Sequence, residues 1–126
     1  MERRLFVVDS IAVAEPAMAD AVVVCGSHGG VSAGRYVLAL PAMPHAVMFN
    51  DAGVGKEGAG VVGLGMLEER DVIAAVYSHE SARIGDGADG LESGILSRVN
   101  GPAARAGLAP GQPVRDAVAR LRATER

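Results

Sequence analysis

The chain has 126 residues, enough for one domain with a buried core, and its 49% hydrophobic and 21% charged residues describe a globular rather than a disordered polypeptide. A formal net charge of −3 with 3% aromatic residues supplies neither the basic footprint nor the stacking platforms of a nucleic-acid binder. Cys25 is the single cysteine, which excludes an intrachain disulfide and suits a reducing compartment, so a cytoplasmic location is expected.

Arg3 and Arg4 precede the apolar run Leu5-Phe6-Val7-Val8, but Asp9 ends it far short of a signal-peptide core or a membrane span. No membrane partner is expected. Leu5 to Val8 reads as a first short strand, and Ile11 to Ala14 is ambiguous before Pro16 closes it. Ala21-Val22-Val23-Val24-Cys25 follows, a continuous β-branched run of the kind a parallel strand covered on both faces requires. It breaks into Gly26-Ser27-His28-Gly29-Gly30, expected to be a loop. From Val31 to Leu40 the apolar spacing is helical, with Pro41 and Pro44 as stops.

The same pattern then recurs. Ala46-Val47-Met48-Phe49 predicts a strand that ends at Asn50 and Asp51 and leads through Gly53-Val54-Gly55-Lys56 into a helical stretch from Glu57 to Arg70. Glycines at 58, 60, 63 and 65 cost that helix roughly 1 kcal/mol each against alanine. A helix that tolerates them is expected to pack very closely on the sheet or on another subunit, and a homo-oligomer is therefore predicted. Val72 to Tyr77 is a third strand, breaking into Ser78-His79-Glu80-Ser81-Ala82-Arg83.

Asp89 is placed to cap a helix carrying Leu91, Ile95 and Val99 at i, i+4 and i+8, ended by Asn100-Gly101-Pro102. After a break between Gly107 and Gly111, Val114, Ala117, Val118 and Leu121 predict a final amphipathic helix. The stretch Gly94 to Leu108 resembles the middle of a PDZ domain, where a strand leads into a short Ala-rich turn. A PDZ domain is mostly antiparallel, which does not fit the alternating β and α pattern of the first two thirds. The fold expected is therefore a single α/β domain over residues 1–126, a three-layer sandwich with a mostly parallel, Rossmann-like sheet of about four or five strands.

In such sheets ligands bind beyond the carboxyl ends of the strands. Three strand ends carry polar side chains there. Ser27, His28, Asp51 and His79 are the candidates for chemistry: a hydroxyl nucleophile, a carboxylate that orients an imidazole, and imidazoles that move protons. Ser27 and His28 diverge as sequence neighbours, so Ser27 is expected to draw its base from another loop, such as His79. Gly26, Gly29, Gly30, Asn50, Lys56, Glu80, Ser81 and Arg83 are the candidates for holding substrate. Backbone N–H groups in a glycine loop at a helix start favour an anion, and Arg83 offers a bidentate partner.

Neither glycine stretch has a nucleotide signature. The first lacks the G-x-G-x-x-G spacing, and Gly53-Val54-Gly55-Lys56 lacks the spacing and the Ser or Thr of a P-loop. Cys25 reads as a buried small hydrophobe, and His45 lies at the far end of its strand. No cofactor is expected, with a divalent metal on His28, Asp51, His79 and Glu80 as the alternative. Together these readings predict an enzyme acting on a small anionic, carboxylate-bearing metabolite, most simply an amide or ester hydrolase. A non-catalytic anion-binding module or accessory subunit is the other class.

Overall fold

A computed structural model describes residues 2–123, with the side chains at 56, 57 and 60 outside that description. Strands β1 (Leu5–Val8), β2 (Val22–His28), β3 (Ala46–Asn50) and β4 (Ile73–Tyr77) pair in parallel, and β5 (Leu96–Val99) lies antiparallel to β4. The order across the sheet is β1-β2-β3-β4-β5, the order of the sequence. Each parallel crossover therefore steps the same way, and right-handed connections that step the same way fall on one face.

The core shows this directly. Ile11 and Met18 from the first connection, Ala33 and Val37 from α1 (Val31–Leu38), and Leu64 and Leu67 from α2 (Val62–Glu68) share a single cluster. On that face they meet Val23, Cys25, Val47, Phe49, Ala74 and Val76. The alternate strand residues Val22, Val24, Ala46, Met48, Ala75 and Tyr77 turn to the other face, where α5 (Val114–Arg122) supplies Val114, Ala117, Val118 and Leu121. Burial on both faces is why these strands read as unbroken apolar runs.

Two expected helices differ from prediction. Residues 57–70 are a 3-10 helix, Lys56–Val61, followed by α2, because Gly58 has φ +76°, which an α-helix cannot hold. The glycines of this stretch do bring a close approach, but to α1. The Gly63 amide donates to Gly29 O at 2.7 Å, and a Cβ on Gly34 would lie 2.7 Å from Met66 Sδ.

The second difference is larger. The helix expected from Asp89 to Val99 is α3 (Gly87–Ser93), capped by Asp86, and then strand β5. Gly94 leaves the helix with ψ 145°, and Leu96, not Ile95, becomes the buried residue. Along this stretch β5 leads into a short helix, α4 (Gly101–Arg105), entered through Asn100. Asn100 is 6% exposed and ties α2, β4 and α4 together: its carbonyl accepts from Ala74 N and Ala103 N, and its amide donates to Leu64 O and, just before β4, to Val72 O.

Strand β2 also runs further than expected. It continues through Gly26 and Ser27 to His28, with a register shift against β3 that sets three residues of β2, 25–27, beside the single Phe49 of β3. Gly26 is what permits this. A side chain there would overlap the backbone of Gly85 and Asp86 and meet Asp9 O at 2.8 Å, while Gly26 O accepts from Gly85 N.

Candidate functional site at the carboxyl ends of the parallel strands

His28, Asn50 and Tyr77 are neighbours across β2, β3 and β4, so the polar residues beyond them gather on one edge of the sheet. Asp51 is the centre of that edge. Its side chain is 7% exposed, and its amide donates to Tyr77 O, which fixes it against the end of β4. Oδ1 accepts from the amides of Gly53 (2.8 Å) and His79 (3.0 Å) and lies 3.3 Å from His79 Nδ1. Oδ2 accepts from the Ser97 hydroxyl at 2.6 Å.

The environment keeps this carboxylate ionised. Burial pushes its pKa up, but the hydrogen bonds from Ser97, Gly53 and His79 together outweigh burial, and the net direction is below the ordinary value. An ionised carboxylate only accepts, so a neutral His79 ring that bonds to Asp51 carries its proton on Nδ1 and leaves the Nε2 lone pair free. The His79 side chain is 49% exposed, with its ring beside Gly53.

The loop after Asp51 is wound tightly around it. Ala52, Gly53, Val54 and Gly55 all have φ between +51° and +78°. For a β-branched residue such as Val54 that conformation is strained, and strain of this kind gathers at functional sites. Three short bonds hold it: Ala52 N to Asn50 Oδ1, Gly53 N to Asp51 Oδ1 and Val54 N to Asp51 O.

The candidates from the sequence separate into groups. Asp51 and His79 are joined as expected. Ser27 is not joined to them: its hydroxyl oxygen accepts from Ile11 N at 2.9 Å, and among the described residues it has no hydrogen bond to His79 or Asp51. His28 is exposed, with its ring packed over Gly30. Ser27 and His28 line a cleft of about 290 Å³ between the loop after β1, the start of α1 and Ile84-Gly85, and neither Asp51 nor His79 lines it.

The substrate-holding candidates divide likewise. Asn50 is fully buried, with its amide on Ala82 O and its carbonyl on Ala52 N, so it shapes the loops and presents nothing outward. Gly26 is enclosed by backbone, and Gly29 uses its amide on Asn50 O and its carbonyl on Gly63 N. The expected glycine cradle is therefore filled by the protein itself. Gly30 is the N-cap of α1 and makes no side-chain cap.

Ser81 donates to Ser78 O and accepts from Ile95 N, which makes it part of the turn. Glu80 is exposed, and Arg83, 82% exposed, lies 3.8 Å from Asp86 rather than at the Asp51–His79 pair. Lys56 begins the 3-10 helix, with its side chain outside the described residues. Among the described residues no three His, Cys, Asp or Glu side chains gather as metal ligands. Cys25 is fully buried, and burial pushes its thiol up to about 12.

Ser97 is the residue of the site that sequence reasoning missed. It lay inside a segment read as helix, and only a strand reading of Leu96 to Val99 brings it beside the end of β4. Comparisons with protein-family models, with curated proteins and with solved structures found no match to this chain.

Proposed function

We propose that this protein is an enzyme that moves protons with His79 on a small anionic, carboxylate-bearing metabolite, most simply in amide or ester hydrolysis. The observation that carries this reading is the buried Asp51 carboxylate, fixed by Ser97 and two backbone amides, with a half-exposed imidazole held against it at Nδ1. Asp51 orients the ring and Nε2 does the work. In hydrolysis, Nε2 takes a proton from water as the water oxygen bonds to the acyl carbon. It returns that proton to the leaving oxygen or nitrogen as the acyl bond breaks. Water is the nucleophile in this scheme, since Ser27 is engaged elsewhere.

The fold supports the same reading. We take it as a three-layer, Rossmann-like sandwich in the sense of a parallel core with helices on both faces and its site at the carboxyl edge, although the strand order never reverses. The separation of the cleft from Asp51 and His79 favours a second reading, a module that binds a ligand without transforming it.

Release of 4-nitrophenolate from 4-nitrophenyl acetate and from 4-nitrophenyl hydrogen succinate tests the choice. Catalysis predicts turnover, preference for the anionic ester, and a loss of roughly 100-fold in kcat/KM for His79→Asn. Equal rates for the wild type and His79→Asn remove His79 from the chemistry and leave the binding module.

A further inference from the structure

We infer that the cleft beside Ser27 and His28 is a binding site for a small organic ammonium ion with an apolar body, separate from the Asp51–His79 pair. Its walls and its charge carry this. Ile11, Ala33, Tyr36 and Ile84 supply apolar surface, and Tyr36 and Ile84 remain 47% and 55% exposed there. Large side chains left uncovered on a concave surface stabilise a ligand that covers them. At about 290 Å³ the cleft lies at the lower end of small-molecule pockets, which suits a single-ring or branched-chain compound.

The polar part of the wall points to a cation. Among the described residues, Asp9 is the only Asp, Glu, Lys or Arg that lines the cleft. Its Oδ1 is held by the Gly87 amide at 3.0 Å, and among the described residues its Oδ2 has no hydrogen bond. Ser10, Ser27 and Ser32 add hydroxyls around it and His28 an imidazole, and Ser27 already accepts one bond from Ile11 N. Arg83, adjacent to Ile84 in the chain, is directed at Asp86, and Arg35 faces the neighbouring groove with Ser32 and Tyr36. Tyr36 lines the same cleft, and the face of an aromatic ring attracts cations.

One feature acts the other way. The first turn of α1 contributes Ser32 and Ala33 to the same wall, and a helix start favours an anion. Its field corresponds to roughly half a charge, whereas the Asp9 carboxylate is a full one. The carboxylate decides the sign.

Chemical-shift titration with 2-phenylethylamine, 2-phenylethanol and 3-phenylpropionate tests this, since the three share a ring and differ in head-group charge. The amine is expected to bind most tightly and the carboxylate least, with shifts at Ile11, Ser27, Tyr36 and Ile84. Asp9→Asn keeps an oxygen for the Gly87 amide, so the fold is retained, and it is expected to weaken the amine about tenfold without changing the alcohol. Tyr36→Ala is expected to weaken all three. Binding of the carboxylate as tight as that of the amine, an unchanged amine affinity in Asp9→Asn, or no shift at the cleft with any probe overturns the inference. None of these outcomes depends on turnover at His79.

Discussion

The two ends of the carboxyl edge are built differently. At β3 and β4 the polar atoms are tied to one another: one carboxylate takes four donors, and a strained loop closes over it. At β1 and β2 the polar side chains stand in an open cleft, and the tight contacts belong to glycine backbone packed against the loop at 85–86. Convergent hydrogen bonds hold one end in a fixed geometry, suited to chemistry. The other end keeps uncovered surface, suited to occupancy.

The largest expected effect is at the cleft end. Gly26→Ala drives a methyl into the backbone of Asp86 and is expected to destabilise the protein by about 3 kcal/mol in urea unfolding, because backbone cannot move aside as a side chain can. A neutral result would mean that β2 does not approach that loop as closely as described.

Next comes the other end. Asp51→Asn weakens four hydrogen bonds and is expected to cost about 2 kcal/mol at pH 7. Its dependence on pH is set by sign. The folded protein holds the Asp51 pKa below its ordinary 3.8, so this carboxylate stabilises the fold above that value and loses its contribution as pH falls through the lower folded value. The gap between wild type and Asp51→Asn should therefore be constant at neutral pH and narrow below about 3.8. A gap that widens there would mean that burial dominates over the hydrogen bonds.

Smaller effects separate the two ends further. Ser27→Ala is expected to cost about 1 kcal/mol, from the lost acceptor for Ile11 N, and to leave any turnover at His79 intact. A large fall in turnover would bring Ser27 back into the chemistry. Cys25, buried and shifted upward, should resist iodoacetamide in the native state and react only on unfolding.

Much of this edge was legible because its signals are local. The runs at 21–25, 46–49 and 72–77 announce buried parallel strands, and a parallel sheet places Asp51 and His79 at one edge whatever the details. What misled was also local. Leu91, Ile95 and Val99 have helical spacing, yet Gly94 ends α3 and Leu96 pairs with Tyr77, so β5 and with it Ser97 stayed hidden. The glycine loop of β2 looked like an anion cradle. Its backbone groups are taken by Asn50, Gly63 and Gly85, partners 21 to 59 residues away that no local pattern displays. Ser27 bonds to Ile11 for the same reason of distant pairing.

The claim on which the functional reading rests is that Asp51 fixes the proton of His79 on Nδ1 and leaves Nε2 free. Long-range ¹H–¹⁵N correlation of the imidazole nitrogens, recorded at a pH where His79 is neutral, reads this tautomer directly. The account predicts the Nδ1–H form in the wild type and loss of that preference in Asp51→Asn. A neutral His79 carrying its proton on Nε2 would contradict it.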